Sequence, residues 1–509
     1  MGFLSTVPAT ERTDAHPDHD HYVSTTVYGS ALAAEEIPRF EMAEEEMPAR
    51  LAARFVHDEL LMDGNPALNL ASFVTTYMEE EAEKLMVDNL SKNFIDVEEY
   101  PALGEIESRC VNMIARLFNA PLHDKDSEAL GVSTIGSSEA IILSVLAAKK
   151  RWQNMRRAAG KSTEHPNIVM NAAVQVCWEK AARYLEVEEK YWYCRTGTYL
   201  GDPQEMIDLV DENTILVCGI LGSTYTGGYE DIKKMSDLLE VKNKQLGTDV
   251  WIHVDAASGG FVAPFVNPDL LWDFRVPRVC SINASGHKYG LAYAGVGWAV
   301  WRNTDFLPRE ILFTVNYLGS PQVSFTLNFS KSAVQVIGQY YQFLRLGKAG
   351  YRAIMTNLQK TADYLADQVV RIQDGTMFEL MCEMGGKGLP LVAWRIKTDK
   401  HYDEFAIARH LRSRGWIVPA YTMAPHAETI KLLRVVVRED FSRHRCEVFV
   451  RDLKDAVEFL DKTPSEIIQH LAKATKDNAK NNAHRSAKVT HHHETKSLQA
   501  KHGKTHAVC

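Results

Sequence analysis

The sequence predicts an α/β fold in which a large domain with a mainly parallel sheet precedes a smaller α/β domain. Short runs rich in β-branched and aromatic residues alternate with longer amphipathic stretches, which is the pattern of successive βαβ units. The clearest unit combines a strand at 214–220, a helix at 231–245 closed by Gly247, and a strand at 250–255. Strand, helix and strand in this order indicate a right-handed crossover between parallel strands.

The remaining elements follow the same two patterns along the chain. Apolar residues recur every three or four positions from Ile141 to Met155, which predicts a helix that ends near Gly160. Further strands are predicted at 168–171, 279–283 and 297–301, and further helices at 48–61, 332–346 and 351–372. In the smaller domain we expect strands at 389–396, 416–421 and 431–438, with helices at 403–412 and up to about 462.

Length and composition indicate a soluble protein of several domains. The 509 residues exceed one typical core, and 45% of them are apolar and 24% charged. We predict an N-terminal arm and helix at 1–57, a large domain at 58–345, a small domain at 346–470 and a basic, disordered tail at 471–509. The net charge is −9 although the tail carries +6, so the rest of the chain is acidic, which argues against a nucleic-acid partner.

Cysteine usage and the N-terminal residues predict a cytoplasmic location. The eight cysteines are scattered without a Cys-x-x-Cys pair, as reduced thiols are in cytoplasmic proteins. The first 22 residues hold one arginine against four acids, which fits neither a signal peptide nor an arginine-rich transit peptide. No apolar run approaches the ~20 residues of a membrane span. The His/Asp cluster at 16–21 is expected to be a solvated terminus and not a metal site.

Three short segments predict a binding site for pyridoxal phosphate. Lys288 follows a strand in a loop of small residues, where a desolvated amine would have a lowered pKa and could attack an aldehyde. Asp255 ends a strand at the sheet edge where ligands bind in open α/β sheets, and could pair with a pyridine nitrogen. The turn Gly136-Ser137-Ser138 opens a helix whose free N–H groups could bind a phosphate. Each feature also has a structural alternative when it is considered alone. Lys288 could be a solvated surface lysine, Asp255 a turn residue at the end of a strand, and residues 136–138 a plain helix N-cap.

Seven ordered runs carry a family resemblance, at 69–73 (Asn-Leu-Ala-Ser-Phe), 93–101 (Asn-Phe-Ile-Asp-Val-Glu-Glu-Tyr-Pro), 136–140 (Gly-Ser-Ser-Glu-Ala), 174–180 (Val-Gln-Val-Cys-Trp-Glu-Lys), 223–227 (Ser-Thr-Tyr-Thr-Gly), 253–258 (His-Val-Asp-Ala-Ala-Ser) and 285–288 (Ser-Gly-His-Lys). On these runs the chain resembles the plant-type glutamate decarboxylases, in the group II pyridoxal-dependent decarboxylases, over roughly residues 20–465. The resemblance implies the type I fold of pyridoxal-phosphate enzymes and decarboxylation of L-glutamate to 4-aminobutanoate. It also implies a homo-oligomer, with a dimer as the catalytic unit and a hexamer as a larger assembly.

The resemblance implies roles for individual residues around the cofactor. Lys288 would hold the cofactor, Asp255 would pair with its ring nitrogen, and His287 would donate to its phosphate. The other expected cofactor contacts are Ser137, Ser138, Gln175, Thr224 and, from the neighbouring subunit, Ser330. The alternatives are a surface residue for Gln175, a turn residue for Thr224 and an inert loop histidine for His287. His253 lies two residues before Asp255, on the same face of the strand, and is expected to orient it.

The resemblance also implies a substrate site with two carboxylate clamps. The distal carboxylate of glutamate would be bound by Ser72, Phe73, Asn93 and Asp96, some of them across the dimer interface. Asp96 could serve there only if one of the two acids is protonated, and a helix N-cap is its alternative role. Arg434, in an apolar strand, would face the α-carboxylate, with a structural ion pair as the alternative.

The tail from residue 471 departs from the resembled family. Plant-type members commonly end in a basic, Trp-anchored helix that binds calmodulin, whereas this tail is basic but lacks tryptophan and an apolar stripe. We therefore expect weak or absent calmodulin binding. Two other functions stay open at this stage, namely another pyridoxal-dependent decarboxylase or aminotransferase, and a non-enzymatic paralogue that keeps the fold.

Overall fold

A seven-stranded sheet lies at the centre of the fold in the computed structural model, which describes residues 37–315 and 322–474. Its strands are β1 (Leu130–Thr134), β2 (Asn167–Asn171), β3 (Glu188–Trp192), β4 (Thr214–Ile220), β5 (Ile252–Asp255), β6 (Val279–Ala284) and β7 (Gly297–Trp301). Their order is β1-β7-β6-β5-β4-β2-β3, with β7 antiparallel to both neighbours and the other pairs parallel. The predicted mainly parallel sheet is confirmed. The strands β1 and β3 were not predicted from the sequence.

The remaining strands form two smaller sheets. A two-stranded sheet pairs β8 (Phe313–Val315) with β9 (Gln322–Ser324). A four-stranded antiparallel sheet has the order β10-β11-β13-β12 and consists of β10 (Phe378–Leu380), β11 (Leu391–Ile396), β12 (Ala420–Thr422) and β13 (Lys431–Val436). With its helices, this sheet confirms a smaller C-terminal α/β domain, while the exact domain limits stay a prediction.

Eleven α-helices occur in the described residues. They are α1 (Ala49–Leu60), α2 (Glu80–Val87), α3 (Pro101–Leu117), α4 (Ser137–Ala158), α5 (Val176–Tyr184), α6 (Pro203–Asp208), α7 (Ile232–Leu246), α8 (Ala263–Val266), α9 (Val334–Val370), α10 (Glu404–Arg412) and α11 (Arg443–Lys462). The chain divides at Pro66 into two compact units, and α1 belongs to the first. None of the helices described is both long and apolar enough to cross a membrane. The His/Asp cluster at 16–21 and the tail from residue 475, with its calmodulin prediction, lie outside the described residues.

Apolar side chains cover both faces of the large sheet. In β2, Val169 belongs to one buried cluster, while Ile168 and Met170 belong to another. In β4, Val217 belongs to the first cluster and its neighbours Leu216 and Cys218 to the second, because successive strand residues point to opposite faces. A sheet buried on both faces has strands that are continuously apolar, so it leaves only the strand ends and their loops for polar function.

The long helix α9 contains a break at Gly347. The sequence predicts two helices in this region, and the structure has two helical halves that meet at this residue. Gly347 has φ 56° and ψ −174°, a backbone conformation that is essentially restricted to glycine. A glycine is therefore needed here for backbone reasons, since no atom of the described residues lies within 4 Å of the position of a Cβ atom.

We expect Gly347→Ala to lower the free energy of unfolding by about 2–3 kcal/mol, because alanine is strained in this conformation. Gly247→Ala is the matched control, since Gly247 also has open space around a Cβ but lies in the ordinary left-handed region, at φ 64° and ψ 37°. The control should cost about 1 kcal/mol. Urea unfolding followed by fluorescence measures both, and equal losses would contradict the assignment of extra strain to Gly347.

Candidate active site

A cavity of about 470 Å³ lies at the carboxyl ends of β4 and β5. Parallel pairing sets Ile220 beside Asp255 and Asp255 beside Asn283, so the loops after β4, β5 and β6 meet there. Seven residues that the sequence analysis assigned to the cofactor line this cavity, namely Ser137, Ser138, Gln175, Thr224, Asp255, His287 and Lys288. Segments that are far apart in the sequence therefore converge as predicted.

The Lys288 side chain points into this cavity from the loop after β6. Its amine donates a hydrogen bond to Ser258 Oγ at 3.1 Å and lies 5.3 Å from the centre of the Phe73 ring. Burial lowers the pKa of the Lys288 amine, and the charge of Arg434 acts in the same direction, while Asp255 opposes both. A lowered pKa increases the fraction of free amine, which is the form that reacts with an aldehyde.

Asp255 is held by three hydrogen-bond donors. Trp178 Nε1 donates to Oδ2 at 2.7 Å, and Asn283 Nδ2 and the backbone N–H of Ala257 donate to Oδ1, each at 3.1 Å. The carboxylate is 8% exposed, so its orientation is fixed by these donors. Sequence analysis gave no function to Trp178, although it lies in the quoted run 174–180, or to Asn283, whose register beside Asp255 becomes visible only in the sheet.

The imidazole of His253 acts on Asp255 through Asn283. Its Nε2 lies 2.7 Å from Asn283 Oδ1, and its Nδ1 lies 2.8 Å from Ser281 Oγ. Asn283 uses its N–H on Asp255, so its oxygen must accept from His253, and the hydrogen is therefore on Nε2. Burial lowers the pKa of His253 to about 4, which keeps the ring neutral. The expected influence of His253 on Asp255 is thus indirect.

The phosphate turn precedes α4 and meets the lysine loop. Ser137 and Ser138 are the first two residues of the helix, positions whose N–H groups have no intrahelical partner. Ser137 Oγ lies 2.5 Å from Ser285 Oγ, which joins the two loops. A Cβ atom on Gly136 would lie 3.1 Å from His287 Cε1, so only a small residue fits comfortably here.

His287 has a free donor nitrogen beside this turn. Its Nδ1 accepts a hydrogen bond from the backbone N–H of Val296 at 3.3 Å, so the ring hydrogen is on Nε2. Burial and the neighbouring charge of Lys288 lower the pKa of His287 to about 4. A neutral imidazole with its hydrogen on Nε2 can donate to an anion, and the expected contact of His287 with the phosphate stays a prediction.

Gln175 and Thr224 line the cavity and also have structural contacts. Gln175 caps α5, because its Oε1 accepts from the backbone N–H of Cys177 at 2.7 Å. The backbone carbonyl of Thr224 accepts a hydrogen bond from Arg434 Nη1. Both contacts fix the cavity wall, and they leave the assigned cofactor contacts of the two side chains as a prediction.

Arg434 lies next to this cavity with an unusual set of partners. Nη1 and Nη2 donate to the backbone carbonyls of Thr224 and Ala71, the latter at 2.8 Å. The guanidinium lies 4.9 Å from the Phe73 ring centre and 5.4 Å from that of Tyr421. None of these partners is anionic, although Arg434 is only 4% exposed. The alternative of a structural ion pair is therefore not supported by its contacts.

The other expected substrate and subunit residues fall into two groups. Ser72 and Phe73 accompany Arg434, since Phe73 lies against both Arg434 and Lys288. Asn93 lies elsewhere, where its Nδ2 donates to Ser330 Oγ at 3.4 Å. Among the described residues, the cavity lining of a single chain includes neither Asn93, Asp96 and Ser330 nor Ser72, Phe73 and Arg434.

Asp96 does not cap a helix. The helix that follows it, α3, begins at Pro101 and has Tyr100 at its N-cap, without a side-chain cap. The alternative role of Asp96 as an N-cap is therefore wrong. Its half-buried position on the same segment as Asn93 keeps the substrate role as a prediction.

The residues of this cavity fit pyridoxal phosphate. The cofactor requires an amine for its aldehyde, a carboxylate for its ring nitrogen and donors for its phosphate. Lys288, Asp255 and the start of α4 supply these three groups in one cavity, whose volume lies within the usual range of small-molecule sites. The group II resemblance and the geometry of the described residues therefore agree.

Comparison with known proteins gives the same assignment. Residues 44–397 match the pyridoxal-dependent decarboxylase conserved domain. The chain is 52% identical to the glutamate decarboxylase of Petunia hybrida over 456 residues, 90% of each chain. It is 44% identical to that of Aliivibrio fischeri, over 86% of this chain and 93% of the other.

A solved structure extends the similarity to the whole fold. The glutamate decarboxylase of Lactobacillus brevis superposes with a TM-score of 0.81 at 42% identity, over 86% of this chain and 98% of that chain. The seven-stranded sheet with a smaller antiparallel sheet after it is the type I fold of enzymes that use pyridoxal 5'-phosphate. The chain therefore belongs to the pyridoxal-dependent decarboxylase family.

Proposed function

We propose that this protein is a plant-type glutamate decarboxylase, which converts L-glutamate to 4-aminobutanoate and CO2 with pyridoxal 5'-phosphate as cofactor. The observation that carries the proposal is the meeting of Lys288, Asp255 and the Ser137-Ser138 turn in one cavity, beside an arginine that has no anionic partner among the described residues. The identity of about half of all residues with plant glutamate decarboxylases supports glutamate as the substrate.

The cofactor and the protein divide the chemistry between them. When bound, pyridoxal phosphate supplies the electron sink that accepts the electrons left behind by departing CO2. Lys288 would hold its aldehyde carbon, Asp255 would keep a proton on its ring nitrogen, and Ser137, Ser138 and His287 would bind its phosphate. The tight hydrogen bonding of Asp255 supports this role, since a carboxylate fixed by three donors cannot turn away from the ring.

The choice of reaction depends on how the substrate is oriented. The bond that breaks is the one held perpendicular to the cofactor ring, so the carboxylate clamps select decarboxylation. We propose that Arg434 aligns the α-carboxylate and that the Ser72 to Asp96 segment binds the distal one. In this scheme Ser72, Phe73 and Arg434 act within their own chain, because Phe73 contacts both cations of the site.

We propose a homo-oligomer with a dimer as its catalytic unit. Ile135 and Leu327 line the cavity and Phe329 follows in the same loop as Leu327, and these three apolar side chains, the apolar rim, are 47%, 54% and 37% exposed in the single chain. A second copy would cover this rim, and we propose that it also brings Asn93, Asp96 and Ser330 to a neighbouring cavity. The free cysteines of the described residues support the cytoplasm as the location.

The proposed reaction consumes a proton, so the behaviour of the fold in acid is relevant. His253 is completely buried, and burial lowers its pKa to about 4, whereas an unfolded histidine has a pKa near 6.5. Between these values the unfolded chain binds a proton that the native state does not. The free energy of unfolding therefore falls as the pH falls from about 6.5 towards 4, by up to about 3 kcal/mol from this residue.

Incubation of the purified protein with L-glutamate tests the proposed function. We expect equal amounts of CO2 and 4-aminobutanoate, and Lys288→Ala should lower the rate by about 1,000-fold or more. Lys180→Ala, a change of an exposed lysine, should leave it unaltered. Three outcomes would contradict the proposal. Release of CO2 from tyrosine but not from glutamate would indicate another decarboxylase, and formation of a keto acid without CO2 would indicate an aminotransferase. A protein that stays colourless after cofactor is added would indicate a non-enzymatic paralogue.

Arg434→Lys should lower kcat/KM for glutamate about 30-fold, the equivalent of about 2 kcal/mol. Lysine keeps the charge but cannot form the bidentate contact of a guanidinium with a carboxylate. Arg395→Lys is the matched control, since Arg395 lies on β11 and pairs with Glu379 outside the cavity. Steady-state kinetics of both variants provide the comparison, and equal losses would show that Arg434 has only a structural role.

His253→Gln should reduce the loss of stability in acid. The glutamine amide can donate to Asn283 and accept from Ser281 without binding a proton between pH 6.5 and 4. We expect the variant to have a free energy of unfolding about 1 kcal/mol lower than the wild type at pH 7.5. Its free energy of unfolding should also decrease less steeply as the pH falls. His444→Gln, at an exposed histidine, should keep the wild-type slope. An unchanged slope in His253→Gln would show that His253 titrates normally.

A further inference from the structure

The buried carboxylate of Glu139 joins two segments of the cavity wall. Its Oε2 accepts a hydrogen bond from the backbone N–H of Ile135 at 2.9 Å, and its Oε1 accepts one from that of Leu327 at 2.7 Å. Ile135 directly precedes the phosphate turn, and Leu327 belongs to the loop at 326–332. Glu139 is 4% exposed and therefore connects these two segments in the interior of the protein.

The loop at 326–332 is also fixed at its other end. Lys331 Nζ donates to the carbonyl oxygen of Ser133 at 3.0 Å and to its Oγ at 3.2 Å, which attaches the loop to β1. The backbone N–H of Phe94 donates to the Lys331 carbonyl at 2.9 Å. Leu327, at the first attachment, and Asn328, between the two, line the cavity. The contact with Glu139 thus joins this wall to the phosphate turn, while the contact of Lys331 joins it to β1.

The two contacts of Glu139 require a carboxylate. Each oxygen accepts from a different backbone N–H, so both positions need an acceptor. Glutamine has one oxygen and one NH2 group, and its NH2 would face an N–H donor whichever way the amide is turned. The negative charge is also favourable at the third position of α4, where the helix dipole and the buried amine of Lys331 both attract it.

We infer that Glu139 is a positioning residue that couples the cofactor phosphate site at 136–138 to the 326–332 loop through its two backbone hydrogen bonds. The inference rests on the proposed placement of the phosphate at this turn. A correct turn geometry then depends on the loop, and the same loop carries the apolar rim residues Leu327 and Phe329. Glu139 itself makes no contact with the cofactor in this scheme.

The affinities of the full-length protein for pyridoxal phosphate and for pyridoxal, which lacks the phosphate, test the inference. After removal of bound cofactor, both are titrated by the absorbance of the lysine-bound form. We expect Glu139→Gln to weaken pyridoxal phosphate binding about tenfold or more and pyridoxal binding less than twofold, because the change acts through the phosphate turn. Glu428→Gln, at an exposed glutamate, should alter neither affinity. Equal weakening for both ligands would overturn the inference.

Two further variants separate the inference from the proposed phosphate site. Ser137→Ala should weaken the binding of pyridoxal phosphate but not that of pyridoxal. If it weakens the binding of both ligands equally, the proposed placement of the phosphate at this turn is wrong. If Ser137→Ala weakens only the binding of pyridoxal phosphate whereas Glu139→Gln weakens the binding of both ligands equally, the phosphate placement is supported and the coupling through Glu139 is contradicted. Leu327→Pro removes the loop donor without altering α4 and should reproduce the selective loss, which also covers the case that Glu139→Gln does not fold. A Leu327→Pro variant with wild-type affinity for both ligands would contradict the coupling.

Discussion

The parallel pairing of β5 with β4 and β6 is the constraint on which the candidate site depends. It sets Asp255 between Ile220 and Asn283 at one edge of the sheet, and the loops that follow these strands therefore share one cavity. The register also creates the hydrogen bond from Asn283 to Asp255, because the two side chains are neighbours on one face. A shift of one residue between these strands would move Asn283 to the opposite face and would leave the carboxylate with one side-chain donor fewer.

The electrostatics of the site follow from two cations that lie near each other. Lys288 and Arg434 both lie within 5.3 Å of the centre of the Phe73 ring, and within the described part of the chain neither has a carboxylate as its hydrogen-bond partner. The charge of Asp255 raises the pKa of Lys288 and so opposes the effect of burial. Two neutral histidines complete the surroundings, since burial lowers the pKa of both His253 and His287 to about 4. The site is therefore suited to a ligand that brings its own negative charges, as a phosphate and a dicarboxylic amino acid do.

Much of the fold and the cofactor set could be predicted because they leave local marks in the sequence. Strands β4 to β7 and helices α4 and α7 have clear apolar patterns, and Lys288, Asp255 and Ser137 stand in small-residue loops beside them. Strand β3 was missed because its Glu-Glu-Lys-Tyr-Trp sequence is charged. Trp178 and Glu139 were given no role because their partners lie 77 and 188 residues away, at Asp255 and Leu327, and no local pattern encodes such a contact.

Two buried glutamates around this cavity, Glu139 and Glu230, accept hydrogen bonds from backbone N–H groups. Loops at a sheet edge have backbone donors that neither strand nor helix can satisfy, and a buried N–H without an acceptor is costly. Glu139 accepts from Ile135 and Leu327, and Glu230 accepts from the N–H groups of Ile220 and Gly201.

Glu439 does the same for the substrate segment, because its Oε1 accepts from the backbone N–H of Thr76 at 2.9 Å. Burial raises the pKa of both Glu230 and Glu439, so these carboxyl groups bind a proton at a higher pH than exposed glutamates do. A protonated carboxyl turns one acceptor into a donor. Both oxygens of Glu230 accept from backbone N–H groups, so protonation of this carboxylate would remove one of its acceptors, and the geometry of the Gly201 and Ile220 segments depends on the ionised form.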